Sequence, residues 1–126
     1  MEATIKEFTL DVMKTADPEL LNRSLIENYI QEIPVSIETV DDMIYAGHMM
    51  AMITNDYSYL LGVLSTFKIW AKIAKVNGSK AEYNDMVMRR DSIETIVDIL
   101  KQQYSALSRL ITIKQEINNE LKMTMN

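Results

Sequence analysis

Two apolar segments with heptad spacing, separated by Asn77-Gly78-Ser79, constrain this chain more than any other feature of its sequence. The first carries an apolar or aromatic residue at alternating third and fourth positions from Met43 to Ala74. This spacing places the side chains on one face of a helix, whereas a strand requires a period of two. The second repeats the spacing from Tyr83 to Leu121, with nine of twelve positions apolar or aromatic. We therefore expect two long helices packed along one seam.

The residues between the two segments carry helix stop and start signals. Asn77 and Gly78 favour the left-handed backbone that ends a helix, because glycine has no Cβ to clash. Ser79 and Glu82 have the spacing of a capping box, which satisfies the first free N–H groups of the following helix. A connection this short makes the helices antiparallel. At ~1.5 Å per residue and roughly 40 residues per arm, the hairpin is on the order of 60 Å long.

The segment before the hairpin predicts two short helices within residues 1–34. Thr4 and Glu7 have capping-box spacing and are expected to open the first. Asp17-Pro18 is expected to open the second, because aspartate caps a helix and proline suits its first position. This helix is expected to end near Glu32, before Pro34, which disfavours helical backbone at the residue preceding it.

These signals predict an all-α fold in a single domain over residues 1–126. We expect a long antiparallel two-helix hairpin, similar to a coiled coil, with two short N-terminal helices. The first long arm is expected over residues 36–76, capped by Ser36, and the second over residues 79–123. The second arm contains neither glycine nor proline, so we expect it to be continuous. The alternative is a bend near Asp91, because Asp91 and Glu94 have capping-box spacing.

Composition excludes several classes of function. The chain has no cysteine, which excludes disulfides and thiolate metal sites. It lacks a glycine-rich phosphate loop, a nucleophile elbow and a zinc-binding histidine pair, and its single histidine, His48, has no second ligand at helical spacing. We therefore expect no enzymatic activity, no cofactor and no metal.

Hydropathy and the first residues bear on location. The stretch from Met43 to Phe67 is long enough to span a bilayer and contains one charge, but Asn55-Asp56 lies at its middle. A soluble amphipathic helix with a polar face opposite the seam is the favoured interpretation. Met1-Glu2-Ala3 does not resemble the start of a signal peptide. We expect no membrane contact and a cytoplasmic location, in a host cell if the protein is viral.

The net charge of −5 is distributed unevenly along the chain. Residues 1–67 hold eleven acids and three bases, a net −8, whereas residues 68–90 hold six bases and two acids, a net +4. The turn of the hairpin is therefore basic and most of the remainder is acidic. Such an asymmetry is typical of a surface that attracts an anionic partner.

The basic turn leads to a hypothesis of nucleic-acid binding. Cations interleaved with aromatic rings can neutralise phosphates and stack bases, as single-stranded nucleic-acid sites do. The candidate residues are Lys68, Trp70, Lys80, Arg89 and Arg90. Lys72 and Lys75 are expected to form interhelical salt bridges with Asp85 and Glu82 and are therefore not candidates. The alternative is a solvated helical surface, with Trp70 buried against a neighbour.

A second hypothesis is a protein–protein interface. Adaptable thioethers cluster near the acidic end, and the second arm is apolar over more than one facing helix would cover. The candidate partner-binding residues are Met49, Met50, Met52, Leu110, Ile113 and Ile117. The wide stripe can be covered by the two N-terminal helices or by a second copy. We expect both, with the protein forming a homo-oligomer, because an elongated rod has too much surface to bury its apolar side alone.

The overall pattern resembles small accessory proteins of tailed bacteriophages. The features that carry the resemblance are a short N-terminal region, an aromatic-bearing hairpin with a basic turn, and the Ser108-Arg109 step in the second arm. Recombination mediators, which load recombinase onto single-stranded DNA and assemble as rings, are the class it resembles, over approximately residues 43–117. The resemblance is architectural, and the chain departs from that class in its acidic charge and sparse basic residues.

Two functions are therefore carried forward. The first is a non-enzymatic oligomeric helical accessory protein that contacts single-stranded nucleic acid through its basic hairpin turn. The second is a protein–protein adaptor, scaffold or inhibitor that binds a partner through its methionine-rich acidic end and the apolar stripe of its second arm.

Overall fold

Two long antiparallel helices form the body of the protein, as the heptad spacing predicts. A computed structural model of the chain describes residues 4–125, so residues 1–3 and 126 of the predicted domain lie outside the described part. The helices are α1 (Leu10–Thr15), α2 (Pro18–Tyr29), α3 (Val40–Asn77) and α4 (Lys80–Met125). With 38 and 46 residues, α3 and α4 are ~57 and ~69 Å long. The predicted all-α hairpin with short N-terminal helices is confirmed.

The seam between α3 and α4 is the core of the molecule. Its deepest side chains occupy the predicted heptad positions and are almost completely buried: Ile53, Leu60 and Phe67 from α3, and Ile93, Leu100 and Leu107 from α4. Each large apolar side chain stabilises the fold by ~1.5–3 kcal/mol when removed from water. The hairpin is therefore stabilised mainly by this interhelical contact.

The turn between α3 and α4 differs from the predicted conformation. Gly78 has φ −100° and ψ 177°, an extended backbone, rather than the left-handed one expected. Glycine is needed for another reason: a Cβ at this position would lie 2.9 Å from the carbonyl oxygen of Ala74. The predicted cap of α4 is present, because Ser79 Oγ accepts a hydrogen bond from the Glu82 N–H at 3.2 Å.

The first predicted helix start is wrong. Residues 4–9 are not helical, and α1 begins at Leu10 with Thr9 as its N-cap. Thr4 instead donates a hydrogen bond from its hydroxyl to Glu27 at 3.0 Å. The Ile5 N–H donates to Ser24 Oγ, also at 3.0 Å, so the segment lies along α2. Long-range bonds replace the local capping box.

The boundaries of the next two helices are partly as predicted. Asp17 caps α2 by accepting from the Leu20 N–H at 3.1 Å, and Pro18 occupies its first turn. The helix ends at Tyr29, earlier than expected. The first long arm is predicted from residue 36, but α3 begins at Val40, and its N-cap is Thr39 rather than Ser36.

Thr39 and Asp42 form a complete capping box at the start of α3. Thr39 Oγ1 accepts from the Asp42 N–H at 3.0 Å, and Asp42 Oδ2 accepts from the N–H groups of Glu38 and Thr39 at 3.0 and 3.1 Å. These backbone hydrogen bonds lower the pKa of Asp42 below its usual range. The start of α3 is therefore fixed more strongly than a single cap would fix it.

The N-terminal helices pack against α4, which accounts for much of its wide apolar stripe. Leu21 and Leu25 of α2 are fully buried and belong to the same core cluster as Ile96 of α4. Gln103 of α4 donates to the carbonyl of Gln31 at 2.8 Å. The expectation that N-terminal helices cover part of the stripe is confirmed for this portion.

An aromatic cluster ties the N-terminal segment to α3. The Tyr59 hydroxyl donates a hydrogen bond to the carbonyl of Phe8, whose ring lies 5.2 Å from that of Tyr29. Burial raises the pKa of Tyr29 to about 12, with contributions from Asp56 and Tyr59. Burial also raises the pKa of Asp56. The folded protein therefore disfavours the ionised form of Asp56.

Candidate nucleic-acid and partner interfaces

One groove near the turn gathers cations from both long helices. We call it the cationic groove, and its charged or aromatic lining residues are Lys68, Lys72, Lys75, Tyr83, Arg90 and Glu94. Its volume is about 300 Å³. The three lysines share one side of α3 because four- and three-residue steps return to the same helical face. The groove is therefore a property of the interhelical seam and not of the turn residues alone.

The ion pairs in the cationic groove are weak. Lys68 Nζ lies 4.0 Å from Glu94 Oε2, with both side chains about half exposed. The Arg90 guanidinium donates to the neighbouring Asp91 at 3.0 and 3.1 Å. Exposed pairs of this kind contribute ~0.2–1 kcal/mol each, so a phosphate can compete with either carboxylate.

The salt bridge predicted between Lys72 and Asp85 is replaced by another. The Asp85 carboxylate accepts from the Arg89 guanidinium at 2.9 and 3.3 Å. Lys72 and Lys75 are exposed and line the cationic groove. The sequence prediction does not include these two lysines in the candidate site, because it pairs them with Asp85 and Glu82. Their spacing from Lys68 was the signal that would have included them.

Arg89 requires a correction, because it is not an exposed cation of the turn. The residue is only 5% exposed, and its guanidinium also donates from Nη1 to the carbonyl of Met13 at 2.8 Å. The side chain thus joins α4 to the end of α1 while its charge is balanced by Asp85. A guanidinium used in this way is not available to a phosphate.

Trp70 also lies apart from the cationic groove. It lines a separate groove of about 560 Å³ on the other side of the seam, together with Glu82 and Asp85. Its ring packs edge-on against Phe67, with centroids 5.0 Å apart, and the Lys14 ammonium lies 4.3 Å from its centroid. The aromatic residue that accompanies the lysines is instead Tyr83. The predicted grouping of Trp70 with Lys68 and Arg90 is wrong.

Lys80 occupies the first position of α4 and is exposed. It lies at the turn and adds positive charge there, but it is not among the residues that line the cationic groove. Of the five predicted nucleic-acid-binding residues, the structure therefore brings Lys68 and Arg90 together in one groove.

The predicted methionine surface is divided between core and solvent. Met49 is 2% exposed and belongs to the core, and the partly buried Met50 packs against this core. Met52 is exposed, and its sulfur accepts a hydrogen bond from Gln31 at 3.6 Å. Met49 is therefore corrected from a partner-binding residue to a core residue.

The late part of the α4 stripe is exposed as a continuous row. Leu110 is partly buried, whereas Ile113 and Ile117 are each 45% exposed and Leu121 is 57% exposed. The row lies at the open end of the hairpin, which we define as the end where α3 begins and α4 ends. The last turns of α4 extend beyond Val40, the first residue of α3, so α3 does not cover them.

The described part of the chain contains neither a metal-binding cluster nor a helix suited to a membrane. Among residues 4–125, no group of three or more histidine, aspartate or glutamate side chains is placed to hold a metal ion. Within the same range, no helix combines the length and apolar character needed to cross a membrane. His48 is exposed on α3.

The fold and its surfaces define an all-α helical hairpin with a cationic groove at one end and an exposed apolar row at the other. Comparison with protein-family models, with curated proteins and with solved structures found no significant match.

Proposed function

We propose that the protein is a non-enzymatic, oligomeric helical accessory protein whose cationic groove binds the phosphate backbone of single-stranded nucleic acid. The observation that supports it is the convergence of Lys68, Lys72, Lys75 and Arg90 on one groove. Glu94 is the one carboxylate among the groove's lining residues. The local field is therefore positive although the chain is acidic overall.

The dimensions of the groove suit a nucleic-acid backbone. Lys68 and Lys75 are separated by seven residues, or ~10 Å along α3, so the lysines form a row and not a point. Tyr83, which is partly buried in the groove, offers a ring edge or face to a base. Recognition of this kind depends on charge and stacking and does not select a sequence.

One groove provides only modest affinity. For single strands, log K falls with log salt concentration by ~0.7 for each phosphate neutralised, so four cations give a slope of about −3. Several grooves acting on one strand raise the overall affinity through effective concentration. The proposal therefore includes oligomerisation as a part of the function.

The test is the fluorescence anisotropy of a labelled single-stranded oligonucleotide titrated with protein at low salt. We expect wild-type binding that weakens with salt, and at least a tenfold loss in a Lys72→Glu, Lys75→Glu variant. The matched control is Lys114→Glu, Lys122→Glu, which makes the same charge change near the open end. Absence of wild-type binding at low salt, or an equal loss in both variants, would refute the proposal.

The second candidate function is a protein–protein adaptor, scaffold or inhibitor. It is favoured by the row Ile113, Ile117 and Leu121, which is exposed near the open end of the hairpin. Apolar rows of this size on a helix suit a partner helix or groove. Affinity capture should then lose a defined partner when Ile113 and Ile117 are replaced by glutamate. Retention of every captured protein by that variant would count against this function.

A further inference from the structure

The face of α3 opposite the seam has an unusual composition, and we call it the outer face. It consists of eleven residues spaced three or four apart, which places them in one stripe along the helix. They are Val40, Ile44, Gly47, Ala51, Thr54, Ser58, Gly62, Ser65, Ile69, Ile73 and Val76. All eleven are exposed and none is charged. The amphipathic pattern of α3 predicts a polar face here. A helix that faces water normally carries charged residues on that side, so an uncharged stripe indicates that α3 is covered.

The two ends of the outer face are apolar. Val40 and Val76, near its ends, are 75% and 80% exposed, and the intervening branched residues Ile44, Ile69 and Ile73 are each more than half exposed. Contiguous exposed apolar surface of this kind marks an interaction site in soluble proteins.

The middle of the outer face carries small side chains. It contains Gly47, Ala51, Ser58, Gly62 and Ser65, all exposed. A Cβ added at either glycine would have no atom within 4 Å, so no contact within the chain requires glycine there. Glycine inside a helix lowers its stability relative to alanine and is retained where another backbone approaches closely.

We infer that the outer face binds a second copy of this chain, with the two α3 helices antiparallel about a twofold axis near Ser58. This rests on the oligomeric part of the proposed function and adds its surface, partner and orientation. With the axis there, Gly47 lies near the partner's Ile69, and Ile44 near the partner's Ile73. The large residues of one chain thus meet small or apolar residues of the other.

Charge selects the antiparallel orientation. Residues 68–90 carry a net +4, whereas residues 30–50, around the start of α3 at the open end, carry a net −4, with Asp41 and Asp42 in the first turn of α3. An antiparallel pair sets each basic turn beside the acidic open end of the other chain, while a parallel pair sets like charges together. Complementary charge of this kind fixes the register of an interface.

The area is sufficient for a closed dimer. A strip ~57 Å long and ~10 Å wide covers ~600 Å² of each chain, or ~1,200 Å² in total. Specific interfaces begin at about 1,000–1,200 Å², so α3 alone reaches that range. The contact is isologous, so it closes at two copies.

The first test is the mass in solution by light scattering. We expect twice the chain mass of 14.5 kDa for the wild type. Ser58→Glu places two like charges at the twofold axis and should raise the dimer dissociation constant at least 100-fold. Ser105→Glu, the same change at an exposed position of α4, should leave the mass unchanged. Circular dichroism confirms that each variant is folded.

A monomeric wild type, or an oligomer whose mass Ser58→Glu does not lower, overturns the inference. Orientation is tested with single cysteines, because the chain has none of its own. A Val40→Cys chain mixed with a Val76→Cys chain should cross-link with a short thiol reagent, whereas Val40→Cys alone should not. Cross-linking of Val40→Cys to itself overturns the antiparallel arrangement. Neither readout contains nucleic acid, so failure of the cationic groove leaves both results interpretable.

Discussion

The position of Arg89 predicts a stability effect that separates a structural arginine from a phosphate-binding one. Arg89→Met keeps the buried aliphatic stem but removes the guanidinium. The carbonyl of Met13 then loses a bond from a charged donor, worth ~1.5–3 kcal/mol, and Asp85 loses a pair worth ~0.2–1 kcal/mol. We expect the free energy of unfolding to fall by about 2–4 kcal/mol.

The measurement is urea unfolding followed by circular dichroism at a fixed protein concentration, because association shifts apparent stability. With a slope of ~1.5 kcal/mol per molar urea, the midpoint should fall by about 1–3 M. The matched control is Arg90→Met, one residue away, whose guanidinium is paired with the exposed Asp91. It should change stability by less than ~0.5 kcal/mol. If both variants lose equal stability, or if Arg89→Met loses none, the assigned role of Arg89 is wrong.

Two further predictions concern the start and the middle of α3. Thr39→Ala should lower the free energy of unfolding by ~1 kcal/mol, because it removes the N-cap of α3, whereas Ser36→Ala should have no measurable effect. If thermal unfolding shows the larger loss for Ser36→Ala, Ser36 and not Thr39 is the N-cap. Burial raises the pKa of Asp56 above its ordinary value of 3.8, because the folded state disfavours the ionised carboxylate. The protonated side chain therefore stabilises the fold below pH 3.8, and this stabilisation is lost as the pH rises through the folded pKa. Asp56→Asn should therefore be more stable than wild type at neutral pH and equal to it below pH 3.8, as melting temperature against pH will test.

The seam was predictable because it depends on a repeated interaction. Apolar residues, such as Phe67 in α3 and Leu100 in α4, occur every three or four positions along both helices. Only a long facing helix can bury such a series. The position of the turn followed from the same series, since the apolar pattern restarts after Gly78. Its conformation did not follow, because a close approach to Ala74 and a left-handed backbone both select glycine.

The N-terminal boundaries depend on contacts that a local pattern does not contain. Thr4 and Thr9 are both acceptable helix caps, but Thr4 instead bonds to Glu27, far along the chain. Ser36 and Thr39 presented the same choice, and the reciprocal bond from Asp42 decided it. In both cases the observed N-cap is a residue type that favours this position, as predicted. Which candidate becomes the cap is decided by its other hydrogen bonds, which are long-range for Thr4 and reciprocal for Thr39.

The candidate site was predictable in charge but not in geometry. Counting charges located the basic region, yet Arg89 and Arg90 point ~100° apart around α4, so one is buried under α1 and the other reaches the groove. Lys68 and Trp70 are likewise ~200° apart around α3, on different sides of the seam. Which side is covered depends on where the N-terminal segment packs, and the hairpin pattern carries no information on that.

The proposed dimer and the cationic groove reinforce each other geometrically. The groove lysines lie on one flank of the outer face of α3, and an antiparallel twofold pair keeps the corresponding flanks on the same side. Because Lys72 lies about 13 residues from the middle of α3, the two grooves are roughly 40 Å apart on that side. A strand long enough to reach both contacts about eight cations, which doubles the salt slope to roughly −6, while a shorter strand keeps the slope of one groove. The proposed dimer would thus present two cationic grooves on one side, a bivalent surface, without any additional basic residue.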